Sequence, residues 1–330
     1  EWEADQRHSE LITRHCNLGN KSKPAGTPGE KREFEDREGS TDLTHEEAFR
    51  FRAIVARGNY LALDRTDVQY AVKELSRRMS TPKECDWVSA KRLGRYLIDK
   101  TRSVLHFEYQ EHQTGVTVWS DTDFAGCRNE RKSTSGGVIM LGSHCLKSWS
   151  LTQKVIALSS GEAEYYGLVK SGSQGLGIRA LLGDLGVERT VVLNTDASAA
   201  IGIASRRGLG KVRHIEASQL WLQQRVANGD LSVQKVDGVS NLADALTKHL
   251  QKGPLTSHME SVRLEIRDGR HPLMPACDST DKSEVSAAVS FESDEHLCQV
   301  ALACKFVSVK GLGPERGSTI AGRLFDLCCI

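Results

Sequence analysis

The sequence has no long apolar run and no marked excess of charge of either sign. No stretch approaches the ~20 apolar residues that cross a bilayer, and the charged start Glu1-Trp2-Glu3 lacks the apolar core of a signal peptide. Lys and Arg total 44 against 43 for Asp and Glu, which leaves a formal net charge of +1. We therefore expect no membrane association and an intracellular chain, cytoplasmic or nuclear, and any contact with nucleic acid must come from local patches of charge.

Paired cysteines are also missing. The nine cysteines include no Cys-x-x-Cys pair, and the closest two are the adjacent Cys328 and Cys329. This distribution indicates reduced thiols rather than a metal site or a thioredoxin-like site. A chain of 330 residues has room for one large or two modest domains. It does not begin with Met, and we expect it to be a fragment.

Composition and periodicity divide the chain into four segments. Residues 1–43 hold a short helix and then a linker rich in Pro, Gly and charge. Residues 44–110 show helical periodicity in three successive stretches. Residues 112–250 alternate strands with helices, and residues 251–330 are irregular, partly Ser-rich and acidic, which predicts a largely disordered tail.

The helices of residues 44–110 carry a set of basic residues. Either these residues form a face that contacts phosphates or they are an ordinary solvated surface, and the sequence leaves both alternatives open. They are Lys73, Arg77, Arg78, Lys91, Arg92 and Arg95.

The pattern of residues 112–250 predicts an α/β fold. Three short strands come first, and a helix that starts at Ser160, a strand, two helices, a fifth strand and a last helix follow. The order βββαβααβα is that of a mixed five-stranded sheet flanked by helices. Four glycines in the long helix cost ~1 kcal/mol each relative to Ala and predict a kinked or loose middle. They are Gly167, Gly172, Gly175 and Gly177.

Four acidic residues lie near the ends of predicted elements. Asp121 ends the first strand, Glu164 lies in the first turns of the long helix, Asp196 ends the fourth strand, and Asp244 lies in the first turn of the last helix. Singly, each is explained by turn chemistry or the helix dipole. If the first and fourth strands are neighbours, the four converge at one edge of the sheet, and their hard oxygen ligands suit Mg²⁺ or Mn²⁺.

Blocks of local sequence resemble one family in their order and spacing. The most specific blocks are the STSG turn at residues 133–136, ALSSGEAEY at residues 157–165 and ADALTK at residues 243–248. Together with WSDTDFAG, LNTDASAAI and RHIEASQLWLQQRV, they resemble the ribonuclease H region of Ty1/copia-type retrotransposon Pol polyproteins. The resemblance covers nearly all of residues 112–250.

The resemblance implies a ribonuclease H-like fold and hydrolysis of the RNA strand of an RNA/DNA hybrid. It implies two divalent ions, Mg²⁺ or Mn²⁺, held by four catalytic carboxylates: Asp121, Glu164, Asp196 and Asp244. Asp123 and Glu162 remain alternatives to Asp121 and Glu164. Glu164 is preferred because relatives place a small residue three positions later, where this chain has Gly167. A catalytically inactive transposon remnant that at most binds nucleic acid is the other hypothesis.

A short basic block before the amphipathic helix is a candidate for binding substrate. The family has a basic-His-Ile-Asp block where this chain has Lys211, Arg213 and His214, and Glu216 stands in place of the Asp. A loop that faces phosphate and an ordinary helix start with an acidic first turn are both open.

Residues 1–110 also resemble a part of this family. Residues 6–29, 65–82 and 90–97 look like the stretch of the copia reverse transcriptase that follows the catalytic region of the palm. That polymerase needs a Tyr-x-Asp-Asp turn, and the chain contains no Asp-Asp pair. We therefore expect residues 1–43 to come from the end of the palm, residues 44–110 to be a helical remnant without a polymerase site, and the partner to be the rest of a Pol polyprotein.

Overall fold

The computed structural model describes residues 1–19, 21–31, 35–111, 115–127, 130–210, 215–275 and 277. The α-helices within these ranges are α1 Gln6–His15, α2 Glu35–Glu38, α3 His45–Ala62, α4 Thr66–Ser76, α5 Glu84–Leu97, α6 Ser160–Asp184, α7 Ser198–Ala204, α8 Trp221–Ala227 and α9 Lys252–Ser261. The strands are β1 Trp2–Glu3, β2 Arg102–Leu105, β3 Gly115–Cys127, β4 Lys132–Leu141, β5 His144–Thr152, β6 Thr190–Thr195, β7 Ser232–Lys235 and β8 Leu264–Arg267. Three short 3₁₀ helices span Ala217–Gln219, Gly238–Ser240 and Leu242–Leu246.

The main sheet has five strands in the order β5-β4-β3-β6-β7. The first three strands form an antiparallel meander, and β6 and β7 add to β3 in parallel. The predicted α/β class, with a mixed five-stranded sheet flanked by helices, is therefore confirmed. Because β3 and β6 are neighbours, with Val118 opposite Leu193, the loops after these strands open at the same edge of the sheet.

One face of the sheet is covered by α6, which runs without interruption for 25 residues in place of the predicted kinked or loose middle. Its glycines allow close approach to the sheet. A Cβ atom at Gly167 would lie 2.5 Å from Oγ1 of Thr122, and one at Gly175 would lie 2.9 Å from side-chain atoms of both Val118 and Val191. Glycine here brings the helix axis nearer to the strands, so that the α6 side chains reach the ends of β3 and β6.

The opposite face is covered by α4, which packs on β5, and α3 and α5 pack against α4. Val138 and Met140 of β4 belong to the apolar core of these helices, whereas Ile139 between them packs under α6. This division follows from the alternation of side chains along a strand. Polar contacts join the layers as well, since Nζ of Lys73 on α4 donates to Oγ1 of Thr134 at 2.6 Å.

A second, three-stranded antiparallel sheet of order β1-β2-β8 joins the first residues of the chain to residues 264–267. Residues 252–267 thus form a helix and a strand where the sequence predicts the start of a disordered tail. Leu255, Met259 and Val262 recur at helical spacing and are buried in the core of the helical segment, a pattern too short to stand out among Ser and charged residues. The division into segments 1–43, 44–110, 112–250 and 251–330 stays a prediction, and residues 278–330 lie outside the described ranges.

The last helices of the main fold are shorter than predicted. The amphipathic helix begins with a 3₁₀ turn before α8, and the predicted final helix over residues 241–250 is the 3₁₀ helix Leu242–Leu246. Buried Ala243 and Leu246 hold this turn against the sheet. Among the described helices, none is both long and apolar enough to cross a membrane.

Candidate metal centre

Asp121 and Asp196 come from the two neighbouring central strands. Asp121 lies inside β3, which continues to Cys127, rather than at the strand end that the sequence predicts. Asp196 directly follows β6. The last parallel pair of these strands is Trp119 opposite Asn194, so both aspartates stand two residues beyond it at the same edge of the sheet. The strand order therefore sets the two carboxylates side by side.

Glu164 completes a cluster of three carboxylates. It lies in the second turn of α6, and one oxygen each of Asp121, Glu164 and Asp196 can be chosen so that all three lie within 4.8 Å of one another. Asp121 is 9% exposed. Three anions in so small a volume repel one another, which predicts that a proton or a cation compensates their charge.

Glu162, the alternative to Glu164, has a different position. Its Oε2 accepts a hydrogen bond from the backbone N–H of Leu158 at 2.9 Å, and its Oε1 accepts one from the hydroxyl of Tyr166 at 2.8 Å. Its own backbone N–H bonds to Oγ of the N-cap Ser159. Glu162 therefore stabilises the start of α6 instead of joining the cluster.

Asp244 lies next to the cluster but is not a member of it. Its Oδ1 forms an ion pair with Nζ of Lys248, four residues further along the chain, at 2.5 Å. Its charge nevertheless contributes to the raised pKa of Asp121. The structure thus brings three of the four predicted carboxylates together and holds the fourth beside them in an ion pair.

Asp123, the alternative to Asp121, faces a cleft beside the cluster. It lines this cleft together with Lys248. Burial raises the pKa of its carboxyl, and Glu74 adds to this, while Lys73 and Lys248 act in the opposite direction. Asp123 is therefore placed among cations rather than among the three clustered carboxylates.

Two of the clustered carboxylates, Glu164 and Asp121, have raised pKa values. Burial, with smaller contributions from the charges of Asp121 and Asp196, raises the pKa of Glu164 to about 9. Burial also raises the pKa of Asp121 to about 6, with Asp244 and Asp196 adding to it and the hydrogen bond from Thr247 opposing it. Shifts of this direction arise where buried carboxylates lie close together.

The residues present fit a divalent cation. All the donors are carboxylate oxygens, the ligands that Mg²⁺ and Mn²⁺ prefer. In the described part of the chain, Oε2 of Glu164 is buried and has no hydrogen-bond partner. A buried carboxylate oxygen without a partner is costly in free energy, and a bound cation would satisfy it.

Comparisons with known proteins show what the chain is similar to. No family model matches the chain. Pol polyproteins of the transposons RE1 and RE2 from Arabidopsis thaliana are each 32% identical to it over 205 residues, which is 61% of this chain and 14% of theirs. The Pol polyprotein of transposon TNT 1-94 from Nicotiana tabacum is 29% identical over 186 residues, 56% of this chain and 14% of its own. This chain is homologous to retrotransposon Pol polyproteins.

Two solved structures align with part of this chain. They are LC11-RNase H1, isolated from compost by a metagenomic approach, and the N-terminal RNase H domain of rv2228c from Mycobacterium tuberculosis, fused to maltose binding protein. The first is 15% identical with a TM-score of 0.30 over 44% of this chain and 99% of its own, and the second is 16% identical with a TM-score of 0.28 over 45% and 99%. The main sheet and its helices follow the order of elements predicted from the sequence, with a 3₁₀ helix in place of the last helix. Below, we call this part of the chain the ribonuclease H-like domain, after the family region that its sequence resembles.

The ADALTK block of this ribonuclease H-like domain packs directly on its STSG block. A Cβ atom at Gly136 would lie 2.9 Å from the carbonyl oxygen of Ala243 and equally close to Thr247. The hydroxyl of Ser150 donates to the carbonyl oxygen of Leu246 at 2.6 Å. The sequence singles out both blocks but not their contact, which only the folded chain reveals.

This contact also supports the cluster. Buried Thr247 donates its hydroxyl to Oδ2 of Asp121 at 2.5 Å. Asn241 donates its side-chain amide to the carbonyl oxygen of Ser120 at 3.0 Å. Both bonds hold the strand that carries Asp121. No pattern in the sequence pointed to Thr247 or Asn241 as supports of the site, because each acts on a residue more than 100 positions away.

The proposed substrate-binding residues Lys211, Arg213 and His214 lie outside the described residues. The chain before them reaches Gly210, and the chain after them resumes at Ile215, which is buried in the core under α6. Their contact with substrate stays a prediction.

Proposed function

We propose that the ribonuclease H-like domain is a metal-dependent endonuclease that hydrolyses the RNA strand of an RNA/DNA hybrid. The observation that carries this proposal is the convergence of Asp121, Glu164 and Asp196 from β3, α6 and the end of β6. Homology to retrotransposon Pol polyproteins supports the substrate class. The chain spans 14% of the length of the first two relatives. By the same homology, the partner that we propose is the rest of such a polyprotein.

We assign the metal ligands as Asp121, Glu164, Asp196 and Asp244, with two ions of Mg²⁺ or Mn²⁺ as the cofactor. When bound, such ions would activate the attacking water and offset the charge on the leaving 3′ oxygen. Glu164 and Asp121 must lose their protons to act as ligands, and Asp244 must exchange its partner Lys248 for the cation. In that state Thr247 keeps the Asp121 carboxylate oriented.

Lys248 has a role in this proposal that follows from its position. Its ammonium group is half exposed and lies within reach of Asp244. Burial lowers its pKa, but the hydrogen bond and charge of Asp244 outweigh this effect, and the net shift is upward. It therefore stays cationic at neutral pH and can contact a phosphate when Asp244 turns to the cation.

The experiment is a cleavage assay with the purified chain, Mg²⁺ and a labelled RNA/DNA hybrid. We expect internal cuts in the RNA strand and a loss of at least about 100-fold in rate for Asp196→Asn, because the ligand set loses a charge. Asp184→Asn, an exposed aspartate at the end of α6, serves as the matched control. No cleavage by the wild-type chain, or equal cleavage by Asp196→Asn, would refute the enzymatic proposal.

The competing proposal, an inactive remnant that binds nucleic acid, makes a different prediction in the same samples. The wild-type chain would then retard the labelled hybrid in a binding assay but leave its RNA strand intact at every Mg²⁺ concentration. Calorimetric titration with Mn²⁺ separates the two further, because the remnant needs no cation affinity at the acidic cluster.

A further inference from the structure

The basic residues of the helical segment fall into two groups in the folded chain. Arg77 and Arg78 at the end of α4 and Arg92 on α5 line a cleft with a cavity volume of about 550 Å³. The remaining three do not line it. Lys73 is buried against Thr134 of the main sheet.

Lys91 and Arg95, the other two basic residues outside the cleft, have partners elsewhere. Nζ of Lys91 lies 5.7 Å from the centre of the Trp87 ring. Nε of Arg95 donates to the carbonyl oxygen of Lys23 at 2.8 Å. Lys91 and Arg95 thus carry the same charge as Arg78 and Arg92, on the same segment, but away from the cleft.

The cleft lies between the helical segment and the ribonuclease H-like domain. Its walls are α4, α5, residues 28–31 and the far end of β3. Among the described residues, basic side chains outnumber acidic ones by two on this lining. The basic residues are Lys31, Arg37, Arg77, Arg78, Arg92 and Lys248, and the acidic ones are Glu30, Glu74, Asp86 and Asp123.

Two of these cations are partly exposed and form weak ion pairs. Arg78 is 25% exposed, and its Nε is 4.0 Å from Oδ1 of Asp86, which also pairs closely with Arg37. Arg92 is 26% exposed and pairs with the more exposed Glu30 at 2.5 Å. The Arg92–Glu30 pair is weak because it is exposed, and the Arg78–Asp86 contact is weak because it is long. Phosphate oxygens can therefore replace the carboxylates as partners at small cost.

The cleft lies beside the acidic cluster, although none of the clustered carboxylates lines it. Asp123, on its wall, lies two residues beyond Asp121 along β3, a distance of roughly 7 Å. Lys248, also on its wall, pairs with Asp244. One nucleotide advances a helical strand by ~3.4 Å, so a backbone held at the cluster would enter the cleft after about two nucleotides.

We propose that this cleft binds the phosphodiester backbone of the hybrid beside the scissile bond, with Arg78 and Arg92 contacting its phosphates. The helical segment then belongs to the substrate-binding surface of the ribonuclease H-like domain rather than being an inert remnant beside it. The inference rests on the proposed function only in taking the hybrid as ligand.

The test compares two double variants that each remove two positive charges from the helical segment. Arg78→Gln with Arg92→Gln removes charges in the cleft, and Lys91→Gln with Arg95→Gln removes them elsewhere. Each full-length chain is titrated against a fluorescent RNA/DNA hybrid in EDTA, which prevents metal-dependent cleavage, at several salt concentrations. Thermal unfolding of each variant checks its folding.

We expect the cleft variant to bind the hybrid at least about 10-fold more weakly at ~0.1 M salt and to lower the slope of log K against log salt by about 2, since each phosphate contact contributes about 0.9. The control variant should stay within about 2-fold of wild type. Equal weakening in both variants, or an unchanged slope in the cleft variant, overturns the proposal.

Arg92 also donates to Thr27, so its loss can disturb residues 27–31. If the double variant unfolds early, Arg78→Gln alone carries the test, and the expected fall in slope is about 1. Failure of the proposed function looks different, because a chain that never cleaves in Mg²⁺ still shows the cleft-specific loss of binding in EDTA.

Discussion

Thr247 donates its hydroxyl to Oδ2 of Asp121 across 2.5 Å and 126 positions of sequence. The bond joins the 3₁₀ helix region that carries Asp244 to the central strand of the sheet. It also opposes the burial that raises the pKa of Asp121. One buried hydroxyl therefore both orients a proposed metal ligand and favours its charged form.

Removing this hydroxyl should weaken cation binding. Thr247→Val keeps the shape of the side chain but leaves Asp121 without its donor, so we expect Mn²⁺ affinity to fall by ~10- to 100-fold. Calorimetric titration measures the affinity, and Thr247→Ser, which keeps the hydroxyl, should bind nearly as well as wild type. Equal affinities for the Val and Ser variants would show that Thr247 does not support the ligand.

Substitutions of Glu162 and of Glu164 should have different effects on cation binding and on stability. Glu164→Gln removes a carboxylate from the cluster, so Mn²⁺ binding should be lost or fall by at least about 100-fold. Glu162→Gln weakens the start of α6 and should lower the free energy of unfolding by about 1 kcal/mol while cation affinity stays near wild type. A larger loss of Mn²⁺ affinity in Glu162→Gln than in Glu164→Gln would reverse the assignment.

The acidic cluster should make the cation-free protein less stable at alkaline pH. Since burial raises the folded pKa of Glu164 from 4.5 to about 9, the folded protein keeps a proton there that the unfolded chain has released. The stabilisation from this proton is complete below pH 4.5 and declines as the pH rises towards 9. Glu164→Gln has no such proton to lose.

Urea unfolding in EDTA at pH 5 and at pH 9 checks this sign. From pH 5 to pH 9, we expect the free energy of unfolding to fall by more than about 1 kcal/mol further in wild type than in Glu164→Gln. Excess Mg²⁺ should reduce the difference, because it compensates the charge in wild type. A difference that does not change with pH would contradict the raised pKa.

Two glycines of α6, only two residues apart, should respond oppositely to alanine. At Gly175 a Cβ would press on Val118 and Val191 at 2.9 Å, so Gly175→Ala should lower the free energy of unfolding by ~1–3 kcal/mol. At Gly177 a Cβ would meet no atom within 4 Å, and Gly177→Ala should raise it by ~0.5–1 kcal/mol. Urea unfolding measures both, and a stabilising Gly175→Ala would show that the helix does not need glycine to approach the sheet.

Much of the ribonuclease H-like domain can be predicted from the sequence because its signals are local. The period of two in β3, the helical run after Ser160 and the order of the elements depend on neighbouring residues only. The conformation of residues 252–267 could not be predicted in this way, because Leu255, Met259 and Leu264 become ordered by burying their side chains in a core built from distant helices.

The sequence by itself determined the kinds of residue at the site, since Asp121, Asp196 and the two glutamates stand in recognisable blocks at the ends of predicted elements. Which glutamate joins the aspartates was decided only by the tertiary structure. Two residues along a helix differ by about 200° in direction, so the packing of α6 on the sheet turns Glu164 to the cluster and Glu162 to the helix start. The bond from Thr247 and the cleft at Arg78 and Arg92 likewise depend on contacts between distant segments, which no local pattern encodes.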